Sequence, residues 1–348
     1  MVLDAQEMEN IPSRVLIIDT AWLGDVLFST ALIGAVNSVW PNAEIQLLTS
    51  PRAEQLVADH PLLSRVWILD KQGNDRNFGA IRKYAAALNA ETFDVVLCAH
   101  PSFRSRLLCM QLDVPIKVGY RGVLAGRAFT HLVHNDLGIE PDHVQRRLNL
   151  LRAIAPIVET PVLRVGIADD TVRWASNWLD EKNLTAKTLL AIIPGSARRT
   201  KQWDVKRFRK VVEEWISRSA DRGALVFIGP SEKALIKDFN GLDPNLVCVV
   251  EEPLRNCAAL LSSCVAAVGN DTGVSFLAVA AGCPKVFVLY GSTQVNYDFP
   301  APHKALAAGV PCCLSRTGHG EARCKWTGGP PWCMGEISVE RVLAELQK

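Results

Sequence analysis

Arg14-Val-Leu-Ile-Ile-Asp-Thr-Ala-Trp-Leu-Gly-Asp25 decides the fold. The run from Val15 is apolar almost without a break, as a strand buried on both faces of a parallel sheet must be. It turns at Gly24-Asp25 into an amphipathic stretch over Val26–Val39, so the piece reads as strand, turn, helix. Far along the chain a second copy of this plan appears, Cys264-Val-Ala-Ala-Val-Gly-Asn-Asp271-Thr-Gly273, opening an Ala-rich helix. Both turns lie at the carboxyl end of a buried strand, which is where open α/β sheets bind ligands. The late turn is built to hold an anion and the early one offers a carboxylate. Facing each other across a cleft, the two suit group transfer from a phosphate-bearing donor.

The same alternation extends outward from these two pieces. Strands are expected at Val15–Asp19, Glu44–Thr49, Val66–Leu69, Val95–Ala99, Thr188–Ile193, Ala224–Ile228, Val265–Val268 and Lys285–Tyr290. Helical patterns lie between them, among others at Phe78–Ala90, Val205–Ser217, Lys233–Phe239 and Thr272–Ala281. Strict alternation means βαβ units and parallel sheets. It lapses once, where the helix His143–Ala155 meets Pro156 and Pro161, and a fresh series starts at Thr188. The expected division is therefore two Rossmann-like domains, residues 1–160 and 161–335, followed by a terminal helix in 336–348.

The totals narrow the function. With 348 residues, 49% hydrophobic and 21% charged, the chain has the composition of an ordinary globular protein. A net charge of +2 gives no sign of a general nucleic-acid binder. Basic residues are nevertheless concentrated: His100 to Arg152 holds eight Lys/Arg against four Asp/Glu, and Ser196 to Lys210 holds seven against one. Such stretches suit anionic small molecules or a membrane surface. No apolar run reaches the roughly 20 residues that span a bilayer. Residues 1–12 carry acids where a secretory signal has a basic n-region, and ten cysteines then read as reduced thiols in the cytoplasm.

Three loops carry the candidate chemistry. At Asp271-Thr272-Gly273 the helix N-terminus favours a phosphate, and Gly269 and Gly273 let the backbone approach a ligand. The plain alternative is that Asp271 only caps its helix. At Gly24-Asp25 the positive helix end favours a charged carboxylate, able to take a proton from a hydroxyl nucleophile, with Trp22 and Leu23 to exclude water. Pro194-Gly-Ser-Ala-Arg-Arg-Thr-Lys-Gln-Trp203 offers Ser196, Thr200 and Lys201 to a diphosphate. Gly229-Pro-Ser-Glu232 places an acid where a ribose diol is held, unless Ser231 merely caps the helix. No G-x-G-x-x-G follows Ile18 and no G-x-x-x-x-G-K-[ST] occurs, which sets aside an NAD-dependent oxidoreductase and a P-loop enzyme.

Together these loops resemble glycosyltransferase family 9, the ADP-heptose:lipopolysaccharide heptosyltransferases. The likeness rests on Val15-Leu-Ile-Ile…Leu23-Gly-Asp-Val-Leu, Pro194-Gly-Ser…Lys201-Gln-Trp203…Arg207-Phe208, Gly229-Pro-Ser-Glu232 and Gly269-Asn-Asp-Thr-Gly273…Ala278-Val-Ala-Ala-Gly-Cys-Pro284. The resemblance implies a GT-B fold, two Rossmann-like domains facing across a cleft with the C-terminal helix packing back toward the first. It implies an inverting, metal-independent transferase without a cofactor, taking heptose from ADP-heptose to the lipopolysaccharide inner core at the cytoplasmic face of the inner membrane. Asp25 then matches the catalytic base, Lys201 the lysine at the donor phosphates, and Glu232 the acid near the ribose. Asp271, Thr272 and Gly273 match the loop that receives diphosphate and sugar. Arg52, Arg104, Arg106, Arg121 and Arg127 fall in the half that binds acceptor, where a phosphorylated or carboxylated sugar core wants guanidinium partners.

Two residues depart from the family pattern. Phe276 stands where many members have His, and Asp19 stands where a basic residue is usual at the end of the first strand. Another nucleotide-sugar as donor, or a nucleotide-sugar-binding protein without catalysis, therefore stay open. The cysteines Cys312, Cys313, Cys324 and Cys333 lack the C-x₂₋₄-C pair of a zinc site, and His100, His131, His134 and His143 lack metal-ligand spacing.

Overall fold

The computed structural model describes residues 11–71, 73, 75, 77–134, 142–157, 159–291, 294–310 and 331–348. The chain forms two compact units, Met1–Gly166 and Ile167–Lys348.

In the first unit the strands are β1 (Arg14–Ile18), β2 (Glu44–Thr49), β3 (Arg65–Ile68), β4 (Val95–Cys98), β5 (Ile116–Tyr120) and β6 (His131–Val133). They pair in the order β3-β2-β1-β4-β5-β6, every pair parallel. Burial follows from the pattern that named the first strand: Val15, Leu16, Ile17 and Ile18 are wholly inaccessible. In the register, Ile18 stands beside Leu48 and Cys98. Helices cover the faces, so every strand's carboxyl end falls on one edge of the sheet.

The second unit repeats the plan with β7 (Thr188–Ile193), β8 (Arg222–Phe227), β9 (Val247–Val250), β10 (Ala266–Asn270), β11 (Val286–Tyr290) and β12 (Lys304–Ala307). Their order, β12-β11-β10-β7-β8-β9, is the first unit's order read from the other side. Both sheets thus reverse direction between their first and fourth strands, β1/β4 and β7/β10, and the residues that follow those strands occupy the switch point where doubly wound folds bind ligands.

Four strands, β5, β6, β9 and β12, carried no strand signal in the sequence. Three of them are outer strands, which are half-exposed and so lack the continuous apolar run of a central strand. In β5 the Lys-Val-Gly alternation hides a strand whose last three residues are buried.

The last helix, Val339–Gln347, buries Val339, Val342 and Leu343 in the core of the second unit, with Phe208 and Trp215 of the helix Val205–Ile216. A tether just before it holds it there. Trp203 Nε1 donates to the Ile337 carbonyl at 2.9 Å, and Arg207 Nη1 donates to the same oxygen at 2.8 Å. Trp203 itself is 2% exposed and meets Phe208 edge-on at 4.8 Å. A side chain of that size, fully buried, contributes roughly 2–3 kcal/mol. Among the described residues no helix is long and apolar enough to cross a membrane.

Candidate functional site

In the first unit the site forms on Asp19, the residue that ends the first strand's run. Its carboxylate is fully buried, accepts from Ser29 Oγ at 2.6 Å and from the Ala21 N–H at 3.1 Å, and pairs with Arg147 Nη2 at 3.2 Å. Arg147, also buried, comes from the helix His143–Arg152 and gives Nε to Ser29 Oγ at 2.8 Å. Burial alone would raise the Asp19 carboxyl, yet the guanidinium and Ser29 hold it below the usual range. The same pair raises Arg147 against the pull of burial. Asp19 is therefore half of a buried ion pair whose partner lies 128 residues away.

Asp25 stands in the first turn of the helix Leu23–Val39, its side chain 30% exposed. Its Oδ1 lies 3.5 Å from Arg147 Nη2 and 3.7 Å from His143 Nδ1. The His143 ring stacks on Phe28 at 5.1 Å, so one helix supplies both neighbours of the carboxylate. Asp25 Oδ2 makes no hydrogen bond among the described residues. Trp22, the helix N-cap, is 69% exposed beside it.

Further groups gather on the same sheet edge. Past β4, His100 Nδ1 lies 3.0 Å from Thr20 Oγ1 and 3.4 Å from Lys71 Nζ. Burial lowers both, His100 against the opposing pull of Asp19 and Lys71 to about 8. Arg104 donates to the Lys71 carbonyl at 3.1 Å. Of the arginines expected to bind acceptor, Arg104 and Arg106 sit on the helix Phe103–Cys109 that follows β4, both half-buried. Arg52 follows β2, Arg121 follows β5, and Arg127 lies in Ala125–Ala128; all three are exposed. Nothing in the sequence marks Arg147 or Lys71, and His100 and His143 enter it only as histidines without metal-ligand spacing, because the partners of all four are brought close only by the fold.

The second unit builds its site on Asn270. Its Oδ1 accepts from the Trp203 N–H at 2.9 Å and its Nδ2 donates to the Pro194 carbonyl at 2.7 Å, both buried. One amide thus ties the ends of the Pro194–Trp203 loop to the Asp271 turn. Lys201 on that loop forms an ion pair with Asp271, which is 6% exposed. Ser196 and Thr200 are buried in the same loop, with Ser196 Oγ accepting from the Arg198 N–H at 3.3 Å. Thr272 caps the helix Gly273–Ala280 without a side-chain bond to it, leaving its hydroxyl unused by the cap. Asp271 stands before the cap and does not fill that position.

Glu232 joins this site through its carboxylate, which accepts from the Gly229 N–H at 3.1 Å and lies against the Cα of Gly195. The cap of Pro230–Phe239 is thus made by Glu232 reaching back, rather than by Ser231. A Cβ at position 195 would enter the space of that carboxylate, so the glycine leaves room for Glu232 to lie where it does. Gly269 has another cause than the one expected. The space of its missing side chain is taken by Ser275 Oγ and Ile193, so it serves internal packing rather than ligand approach. Phe276 is 3% exposed and packs in an aromatic cluster, 6.1 Å from Tyr297 and 6.0 Å from Phe299.

Cys312, Cys313 and Cys324 lie outside the described residues, while Cys333 is buried in the second core. Among the described residues no group of three His, Cys, Asp or Glu could hold a metal ion.

Against known proteins, the family described as "Glycosyltransferase family 9 (heptosyltransferase)" matches residues 81–317. Lipopolysaccharide heptosyltransferase 2 of Escherichia coli (strain K12) is 22% identical over 351 residues, covering 96% of this chain and 97% of the relative. Two solved structures share the fold over 96% of the chain. A glycosyl transferase family 9 protein from Veillonella parvula has TM-score 0.84 at 20% identity, with 96% of its own chain covered. E. coli ADP-heptose lps heptosyltransferase II has TM-score 0.76 at 17% identity, with 97% covered.

Proposed function

The chain belongs to glycosyltransferase family 9, and from that premise we propose that it moves a heptose from ADP-heptose onto the lipopolysaccharide inner core with inversion at the anomeric carbon. The observation that carries this reading is the Asp25 carboxylate. One oxygen is held against Arg147 and His143 while the other makes no hydrogen bond among the described residues, and the side chain is 30% exposed.

In the proposed reaction the first unit holds the acceptor and the second holds the donor. The diphosphate takes Lys201, the Thr272 hydroxyl and the N–H groups that open the helix Gly273–Ala280; Ser196 and Thr200 support the loop; Glu232 receives the ribose. Asp271, adjacent to the cap and paired with Lys201, faces the sugar. Arg104 and Arg106 serve the acceptor, with Arg52, Arg121 and Arg127 as exposed outer contacts. When the substrates meet, Asp25 takes the hydroxyl proton as that oxygen bonds to the anomeric carbon. The bond from that carbon to the diphosphate oxygen breaks, and ADP leaves. Lys201 and the helix amides offset its growing charge, a role that asks for no metal ion. Work at the cytoplasmic face of the inner membrane fits this acceptor.

The relatives support this donor: the protein with TM-score 0.76 is an ADP-heptose lps heptosyltransferase. A different nucleotide-sugar is the second reading, favoured by Phe276, an apolar ring stacked on Phe299 where the family resemblance implies a histidine. A calorimetric panel of ADP-, UDP- and GDP-sugars, with ADP release measured when lipopolysaccharide core is added, tests the proposal. ADP-heptose should bind and turn over. Preference for a UDP- or GDP-sugar overturns the donor, and binding without nucleotide release makes the chain a binder rather than a transferase.

A further inference from the structure

Asn270, the last residue of β10, is wholly buried and joins three elements of the second unit's site. Its Oδ1 accepts from the Trp203 N–H at 2.9 Å and its Nδ2 donates to the Pro194 carbonyl at 2.7 Å. Its main-chain carbonyl accepts from Ser275 Oγ, also at 2.7 Å. Ser275 stands in the first turn of the helix Gly273–Ala280 and is itself buried. A main-chain N–H only donates and a carbonyl only accepts, so the amide has one orientation that serves both ends of the loop.

Between those ends the loop is braced within itself. The Lys201 N–H donates to the Arg198 carbonyl at 3.0 Å, the Gln202 N–H to the Arg199 carbonyl at 3.1 Å, and Gln202 Nε2 to the Ser196 carbonyl at 2.8 Å. A loop stiff along its length is aimed by its ends, and both ends hang on one side chain. Lys201 stands two residues before Trp203, and its ion-pair partner Asp271 directly follows Asn270. The amide therefore sits between the two members of that pair, at the switch point of β7 and β10.

We infer that Asn270 is a positioning residue for the donor diphosphate: its side chain holds Lys201 where that cation and the N–H groups of the helix Gly273–Ala280 meet the same anion. The inference rests on the donor role given above to the second unit. Asn270 touches no substrate, being wholly buried, and acts through the lysine and the helix. A charge-assisted hydrogen bond depends on placement to a fraction of an ångström, so a loop freed at one end loses affinity although every ligand-touching side chain remains. A purely structural amide would instead change stability and leave the ligand indifferent.

The test is calorimetric titration of the full chain by ADP and by inorganic pyrophosphate, after thermal melts confirm folding. Asn270→Asp keeps the shape and the acceptor for Trp203 but turns an oxygen against the Pro194 carbonyl. It should raise the ADP dissociation constant about tenfold, as should Lys201→Gln, the scale of one hydrogen bond to a charged group. With both changes the second should add less than about twofold, because the cation is already out of place. Val342→Ala opens a cavity in the same core, away from the site, and should lower the melting temperature with ADP affinity unchanged. In the transfer assay Asn270→Asp should raise donor KM and leave acceptor KM as it was. Should Asn270→Asp not fold, Asn270→Ser decides; if neither folds, the amide serves the fold and the inference fails. ADP binding indifferent to the Asn270 variants, losses that add in full, or an equal loss in Val342→Ala also overturn it. Binding of neither probe by the parent, or binding indifferent to Lys201→Gln, sinks the donor reading itself. Pyrophosphate binding without ADP binding changes the nucleotide only, and the same variants then decide on pyrophosphate.

Discussion

Arg147 reaches Asp25 with the same nitrogen that pairs it to Asp19: Nη2 lies 3.5 Å from Asp25 Oδ1 and 3.2 Å from Asp19 Oδ2. One buried guanidinium therefore serves both stability and site geometry, and the two roles can be separated. Arg147→Gln strands the Asp19 carboxylate in the core, which costs about 3–5 kcal/mol. Adding Asp19→Asn removes the stranded charge, so urea denaturation of the double variant should show a smaller loss than Arg147→Gln alone. Turnover should stay about 10²-fold low in both, because Asp25 has lost its neighbour in each. Recovery of turnover in the double variant would show that Arg147 matters to the fold alone.

Asp25→Asn isolates the proton transfer. The amide has nearly the carboxylate's shape but cannot accept the proton, so turnover should fall by about 10²–10⁴. Donor affinity should hold, because the donor is assigned to the other unit. Steady-state kinetics with calorimetry on the same preparation checks both halves. Unchanged turnover would remove Asp25 from the mechanism.

Gly195→Ala probes Glu232 without touching it. The new methyl would enter the space of the Glu232 carboxylate, which must swing away from the Gly229 N–H that it now accepts from. Glu232 is half-exposed and its helix is otherwise intact, so the fold should survive the shift. The dissociation constant for ADP should rise by roughly tenfold, on the scale of one lost hydrogen bond to a charged group. Undiminished ADP binding would mean that Glu232 does not hold the ribose.

How far the sequence foretold these features depends on chain separation. The central strands β1, β4, β7 and β10 were legible because burial on both faces leaves an apolar run that needs no partner to be seen. The turns that hold Asp25 and Asp271 were legible for the same reason, since each directly follows such a strand. Asp19 was seen only as a departure, because its explanation, Arg147, stands on another helix far along the chain. The role of Asn270 is not legible in its motif, since neither Trp203 nor Pro194 is near it in sequence. The terminal helix was legible as an amphipathic stretch, but not its groove: the bonds at Ile337 that seat it join residues 130 or more positions apart.

His60 supplies a pH signature independent of the chemistry. Its ring is 3% exposed, Nδ1 accepts from the Leu62 N–H at 3.3 Å, and Nε2 is buried without a partner. Burial first, and the nearby Arg164 second, push it down to about 4 from 6.5. The folded chain therefore resists a proton that the unfolded chain accepts between pH 6.5 and 4. Across that window the unfolded state binds more protons, so stability rises with pH. The contribution is complete above pH 6.5 and is lost as pH falls toward 4, by up to roughly 3 kcal/mol. Carboxylates such as Asp19 and Asp94, also held low, weaken the fold in acid too, so the parent alone cannot isolate the histidine. His60→Phe keeps an aromatic ring of similar bulk and removes the titration. Urea unfolding of both proteins at pH 7 and pH 4.5 should show the parent losing more stability than the variant. A difference between them that stays constant with pH would mean that the histidine is hydrated or charged in the folded chain.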